Sequence, residues 1–279
     1  MHRPLKKILF ISIAFVLLTI LSQTGGIIYL ACIPLFKLID RRFSPGIVKA
    51  GLKALAFPVV YISLTFSLVP LIAKQFGRIQ LPVTRSGSLQ PLTMLTVLLN
   101  RNYVRPALKE VAEETAKKMN KAYPGTTVFY LDACFPFINK FPLLPHLSHN
   151  DGNKLDLCFF YTDEVNNKQI SGSPSPIGYG VCEEPLPGEI NTAEMCSKEG
   201  YWQYSFLKKI VPQKNKKNYV FDEIRTKQMI AFFAAFNAIE KIFIEPHLAA
   251  RLHVKSFPKI RFHGCQAVRH DDHLHVQIK

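Results

Sequence analysis

"RHDDHLHVQIK", residues 269–279, closes the sequence and holds three histidines and two aspartates beside only three large aliphatic residues. A polar tail needs no pattern, whereas a strand sends successive side chains to opposite faces. From His273 onward the alternation is strict: His273, His275 and Gln277 fall on one face, and Leu274, Val276 and Ile278 on the other. The spacing predicts a strand with one face in a core and two imidazoles on the other. One HxH fits two readings, a pair of metal ligands or a partly buried histidine pair satisfied by hydrogen bonds, so partners elsewhere must decide.

A catalytic zinc draws three ligands from the protein and leaves a position for water. "PHLSHNDGNKLDLCFFYTDE", residues 145–164, offers candidates. His146 and His149 stand in a loop rich in Pro, Asn and Gly. Asp156 follows in a second strand pattern, where Leu155, Leu157 and Phe159 alternate with Asp156, Cys158 and Phe160. A carboxylate on so apolar a strand is expensive to bury unless it is paired or bound to a cation. Taken singly, these residues also read as an ion-paired carboxylate and a solvated loop histidine.

Taken together, His149 and Asp156 followed by a distant HxH resemble the zinc peptidases grouped around lysostaphin-type enzymes, D-alanyl-D-alanine carboxypeptidases and the hedgehog signalling domain. Within that group "HLSHNDGNKLD" (146–156) and "HDDHLHV" (270–276) are similar to the two motifs of the penicillin-insensitive murein endopeptidases. "IEKIFIEPHLAARL" (239–252) resembles the strand and helix that lead into the second motif. The likeness covers about residues 126 to 279.

The resemblance implies a zinc ion (Zn2+) held by His149, Asp156 and His275. It implies His273 as an acid/base or oxyanion-stabilising group, Asp272 as the second candidate for proton transfer, and His146 and His270 as the extra histidines of the endopeptidase branch. The implied activity is hydrolysis of amide bonds in peptidoglycan peptide cross-links, as a murein DD-endopeptidase that uses no serine nucleophile. Many carboxypeptidases of the group carry an arginine shortly before the first motif; between Thr126 and His146 this chain has only Lys140. That departure favours an endopeptidase over a carboxypeptidase of the same fold. The other class in play is a non-catalytic zinc-containing binding domain at the cell envelope. His270, Asp272 and His273 beside the ligands favour the enzyme, because a structural metal has no use for loose acid/base groups.

The formal charge of +15 is unevenly spread. Residues 1–79 hold ten Lys or Arg against one acid, and residues 80–279 hold twenty-five against nineteen. The basic excess thus belongs to a hydrophobic segment, which argues against a nucleic-acid partner. Ile8 to Phe36 and Ala54 to Ala73 carry no charge over 29 and 20 residues. Spanning a bilayer takes about twenty helical residues, so two retained transmembrane helices are expected, the first tilting or breaking near "SQTGG". A cleaved signal peptide, or two core helices of a soluble protein, are the alternatives. Lys37, Arg41, Arg42, Lys49 and Lys53 in the connector outnumber Arg3, Lys6 and Lys7 in the tail. The positive-inside rule then places the connector in the cytoplasm and both termini outside, with the catalytic domain on the periplasmic side of the cytoplasmic membrane.

The expected organisation is a membrane anchor over 1–79, a linker over 80–101 and a zinc peptidase-like domain over 102–279. The fold class is α+β, a mainly antiparallel sheet with flanking helices, because helices and strands follow without regular βαβ repetition. "RPALKEVAEETAKKMNKAYPG" (105–125) reads as a helix with Glu113–Lys117 and Glu114–Lys118 pairs. "FDEIRTKQMIAFFAAFNAIEKIFIEPH" (221–247) reads as a helix followed by a strand. Cys182 and Cys196 flank a Pro/Gly-rich loop and are candidates for a disulfide; Cys158 reads as a small core residue. The segment 166–218 says least: Trp202, Tyr201 and Tyr204 either wall a groove or pack under a loop.

Overall fold

The computed structural model describes residues 3–279, with side chains from Leu5 onward; Arg3, counted above among the tail's charges, has its side chain outside that range. The apolar N-terminal segment builds α1 (Arg3–Ser22), α2 (Gly25–Ala31), α3 (Ile33–Arg42), α4 (Gly46–Phe66) and α5 (Leu68–Gln75). Two of these, over Leu5–Ser22 and Gly46–Phe66, are long and apolar enough to cross a membrane, and 6 % and 0 % of those windows are buried in the protein. They are therefore not core helices of the domain.

The first hydrophobic run breaks within "SQTGG". Gln23 takes a left-handed φ of 64°, and α2 folds back along α1. The glycines permit it, since a Cβ on Gly26 would sit 2.0 Å from Thr19 Oγ1. The N-terminal tail, expected at the end of the anchor opposite the connector, is thereby brought to the connector's end, where Lys7 acts on Asp40. The tail and the connector share one end of the anchor, where Lys53 pairs with Asp40 at 2.6 Å. Lys53, with Lys49 and Lys7 adding their fields, holds the Asp40 carboxyl below its ordinary range.

The domain continues with β1 (Ile79–Gln80), β2 (Leu89–Pro91), α6 (Met94–Leu98), β3 (Tyr103–Val104), α7 (Pro106–Ala122) and β4 (Val128–Tyr130). Then come β5 (Lys154–Cys158), β6 (Tyr161–Asp163), β7 (Gln169–Ile170), α8 (Thr192–Lys198), α9 (Phe206–Ile210) and β8 (Tyr219–Phe221). It ends with α10 (Glu223–Ala235), β9 (Ile239–Phe243), α11 (Pro246–Arg251), β10 (Ile260–Arg261) and β11 (His273–Ile278). The central sheet has the order β10-β9-β11-β5-β4-β2. Its inner pairs are antiparallel, but both edges, β10 on β9 and β2 on β4, are parallel. The sheet is mixed rather than mainly antiparallel, because both edge strands arrive by crossovers that a hairpin reading of the sequence does not anticipate. The fold class is mixed α and β.

Residues 80–101 are not a free linker. β2 adds a strand to the sheet, and Leu81, Leu89 and Val97 are buried; the Pro, Gly and Ser punctuation marks turns between packed pieces. Helix α7 opens on Pro106, whose missing N–H costs nothing in the first turn. It buries Leu108, Val111, Ala112, Ala116 and Met119 against the sheet and α10. Glu114 pairs with Lys118 at 3.8 Å, whereas Glu113 pairs with Lys109 at 3.7 Å instead of Lys117. Asp222 caps α10 by accepting from the Arg225 N–H at 2.9 Å. The core gathers Leu155, Leu157, Leu274 and Val276 from the two central strands with Met229, Ile230 and Phe233 of α10.

The disulfide joins Cys196 to Cys265, not to Cys182. Cys182 is a buried free thiol, and burial, with Asp271 and Asp272 nearby, pushes its pKa well up. Cys158 is buried on β5, packed with Leu131 and Tyr179.

Candidate metal centre

Strand pairing puts two of the candidate ligands side by side. In the β5–β11 ladder His275 lies opposite Asp156, and His273 opposite Cys158. The apolar residues between them face the core, so the polar ones face the other way together. His149 arrives from the loop 136–153, and its Nδ1 donates to the Ala133 carbonyl at 2.8 Å. That bond fixes the N–H on Nδ1 and leaves the Nε2 lone pair facing inward.

Three atoms converge as a result. His275 Nδ1 is 2.9 Å from Asp156 Oδ1, His149 Nε2 is 3.2 Å from the same oxygen, and the two nitrogens are 3.1 Å apart. Ligand atoms 2.0–2.1 Å from a tetrahedral ion stand roughly 3.3 Å from one another. The triangle is within a few tenths of an ångström of that spacing. Asp156 Oδ1 is also buried with no hydrogen-bond partner, an expensive state for a carboxylate unless a cation takes it. His149, Asp156 and His275 thus form a buried group that could hold a metal ion. Burial alone would raise the Asp156 carboxyl, but the surrounding imidazoles of His149, His273 and His275 hold it well below the usual range. His275 is pushed down to about 4, chiefly by burial.

Around the triangle the remaining candidates take separate places. His273 Nδ1 donates to Asp272 Oδ1, and its Nε2 lies 3.7 Å from Asp156 Oδ1, pointing into the site without joining the triangle. Burial disfavours the imidazolium, but Asp156 and Asp272 outweigh it and push His273 up to about 9. Asp272, a candidate for proton transfer on sequence grounds, has its second oxygen occupied by the Gly180 N–H at 2.5 Å. It orients His273 and is not itself aimed at the site. His146 Nδ1 is 3.1 Å from Asp132 Oδ2 and 3.6 Å from Asp156 Oδ2, and its Nε2 is buried without a partner. His270 lies in the wall, its ring 4.9 Å from that of His273 and stacked on His263 at 5.4 Å. Burial, with His273 and His275 beside it, drives its pKa well down, so it is neutral.

Several contributors carry no signal in the sequence pattern. Tyr179, inside the polar stretch "SGSPSPIGYGVC", donates its hydroxyl to Asp156 Oδ2 at 2.9 Å and accepts from the Asp132 N–H at 3.1 Å. Burial and the two carboxylates raise its pKa far above the ordinary value, so it stays a donor. Gly178 and Gly180 flank it at φ 87° and 81°, and a Cβ on Gly178 would meet Leu131 Cδ2 at 2.2 Å. A glycine on each side of a tyrosine in a polar loop is the one cue that was available. Asp132 is neutralised by Arg101 at 2.8 Å. Arg101 also donates to the Leu144 carbonyl at 2.8 Å, so it serves the loop. Arg78, fully buried, donates to the Phe135 carbonyl and to Asn139 Oδ1 at 2.6 Å, gripping the loop that carries His149.

A cavity of about 440 Å³ opens beside the triangle, lined by six of the eight histidines among the described residues. Trp202 stands exposed on its rim, edge to face with Phe206, while Tyr204 is buried and donates to Glu245 at 2.6 Å. No protein-family model matches the chain, and no curated protein matches it.

Proposed function

We propose that the protein is a membrane-anchored zinc peptidase that hydrolyses amide bonds in peptidoglycan peptides, in the manner of the murein endopeptidases its two motifs resemble. The observation that carries this reading is the placement of His273. Its Nε2 points at the edge of the ligand triangle, held there by Asp272, beside an open cavity.

His149 Nε2, Asp156 Oδ1 and His275 Nδ1 would hold the ion; two imidazoles and one carboxylate suit zinc with an open position. Zinc there would supply Lewis acidity, polarising an amide carbonyl and making water reactive near neutral pH. The chain's own residues supply the rest. Asp272 fixes Nδ1 of His273 as the donor, so Nε2 is the face that exchanges a proton with the reacting groups. Tyr179 holds Asp156 Oδ2, which keeps Oδ1 turned to the ion. The buried ring of His146 packs between those of His149 and His273, 5.7 Å from the first and 5.9 Å from the second.

The orientation follows from charge. Lys6 and Lys7 of the tail and Lys37, Arg41, Arg42, Lys49 and Lys53 of the connector share the anchor's far end, so the positive-inside rule puts the domain outside the cytoplasmic membrane. A disulfide in the domain is consistent with an oxidising compartment.

The test uses the full chain in detergent, supplied with zinc and cross-linked muropeptide dimers. Expected is conversion to monomers that benzylpenicillin does not inhibit, that a chelator stops and that added zinc restores. Stoichiometric zinc without turnover of any dimer would instead mark a zinc-containing binding domain.

A further inference from the structure

We propose that the rim of the metal cavity nearest the anchor seats in the bilayer interface, so that the centre receives peptides carried on a membrane lipid. The seat rests on geometry alone; the substrate class rests also on the peptidase reading above.

The domain is bolted to the ends of the two long apolar helices without a spacer. Where α1 turns into α2, Gln23 Oε1 accepts from the Phe137 N–H at 2.7 Å and the Ile138 N–H at 3.3 Å. Asn100 donates to Thr24 Oγ1 at 2.9 Å and to the Tyr61 hydroxyl of α4 at 3.2 Å, and that hydroxyl donates to the Leu98 carbonyl at 2.7 Å. Gln23, Thr24 and Asn100 are buried by these contacts. The loop they fasten is the one that carries His146 and His149, so the metal site stands at the end of the anchor and not at the far end of a stalk.

The surface between the two is apolar and uncovered. Leu95 of α6 and Ile138, Leu144 and Leu147 of the loop are 54–56 % exposed, and Leu144 and Leu147 line the cavity mouth. On the anchor Phe66, Leu68 and Leu71 are 41–60 % exposed, and Val69 and Ala73 of α5 pack with Phe137, next to Ile138 in the loop. Three large aliphatic side chains exposed between Ile138 and Leu147, with Leu95 beside Pro145 of the same loop, are unusual on a soluble surface. Beside an anchor that leaves its own apolar faces bare, the bilayer is the partner that covers both. Lys140, exposed two residues after Ile138, is placed to reach lipid head groups. A cavity opening at that level admits the peptide of an amphiphile whose tail stays in the leaflet.

The chain has a single tryptophan, Trp202, so replacing it with phenylalanine gives a silent background for a reporter. In that background Leu147→Trp and, separately, Leu95→Trp are introduced into the full chain. Each is reconstituted in nanodiscs of phosphatidylethanolamine and phosphatidylglycerol, with and without acyl-brominated lipid. Expected is blue-shifted emission quenched by the brominated lipid and shielded from aqueous iodide. Emission from both reporters that iodide quenches freely and brominated lipid leaves unchanged would overturn the seat. The substrate class is then read by offering one cross-linked peptide in soluble form and in lipid-attached form. Membrane confinement raises the effective concentration, so roughly 10²-fold faster cleavage of the attached form is expected. Equal rates would overturn the substrate class. Quenching as expected with neither form cleaved would remove the peptidase reading while leaving the seat in place.

Discussion

His275 stands directly across the β5–β11 ladder from Asp156, its Nδ1 2.9 Å from Asp156 Oδ1. The convergence is set by main-chain register: a slip of one residue would turn His275 into the core and Leu274 or Val276 toward the carboxylate. The same bonds that pair the central strands therefore assemble two thirds of the ligand triangle.

Removing the His275 side chain should consequently remove the metal and leave the fold. Losing the last five residues also takes Val276 and Ile278 from the core and most of β11 from the sheet, and should cost both. His275→Ala, or loss of the last five residues, is expected to abolish stoichiometric zinc, measured by elemental analysis after dialysis against a trace-metal buffer. The loss should exceed the roughly 10–100-fold expected of an outer partner. Full occupancy in either variant would refute the ligand assignment.

Tyr179 is such an outer partner. Its hydroxyl is the donor that occupies Asp156 Oδ2, so Tyr179→Phe should weaken zinc binding by roughly 10–100-fold with little change in melting temperature. Competition with a chromogenic chelator reads the affinity. An unchanged constant would mean that Asp156 needs no such brace.

Asp272 separates orientation from chemistry. Asp272→Asn keeps a hydrogen bond to the His273 ring but favours the opposite tautomer, so kcat should fall by roughly 10²–10⁴ while zinc content stays the same. Imidazole 15N chemical shifts supply a readout that a merely structural role would not move: Nδ1 of His273 should lose its proton in the variant. An intact tautomer with lost activity would point elsewhere for the proton carrier.

Much of this centre was legible because period and chemistry coincide. Alternation in 273–278 and 155–160 marks the strands, and a lone aspartate on an apolar strand asks for a cation. The ion pairs and turns around it were not legible, since Tyr179, Asp132 and Arg78 act through contacts 23 to 61 positions away. No periodicity encodes such contacts. The disulfide went to Cys265 rather than Cys182 for the same reason: spacing cannot rank partners that the fold brings together. Segment 80–101 looked like a linker because its turn residues are conspicuous and its three buried aliphatics are scattered among them.

The Cys196–Cys265 bridge fastens α8 and the Trp202 side of the cavity to the loop that leads into 269–279. Its 69-residue separation predicts a stabilisation of roughly 4.4 kcal/mol through the unfolded chain. Reduction, or Cys196→Ser with Cys265→Ser, should lower the melting temperature and broaden the emission of Trp202. An unchanged melt would show that the reduced chain keeps this wall by packing alone.

A last prediction concerns acid. Arg251 of α11 clamps Glu189 through two hydrogen bonds at 3.0 and 2.5 Å and also holds the Glu184 carbonyl, pinning the loop 183–189 to the fold. The bond from Arg251, against a smaller cost of burial, lowers the Glu189 carboxyl from 4.5 to about 2. A carboxyl depressed on folding stabilises wherever it is ionised in both states, above about 4.5, and that contribution drains away as pH falls through about 2. Glu189→Gln should therefore melt below the wild type at pH 7, and the gap should narrow from pH 4.5 downward and close near pH 2. Because the pair is partly exposed, raised salt should shrink the neutral-pH gap as well. A gap that stays constant across that range would mean that Glu189 acts through shape and not through its charge.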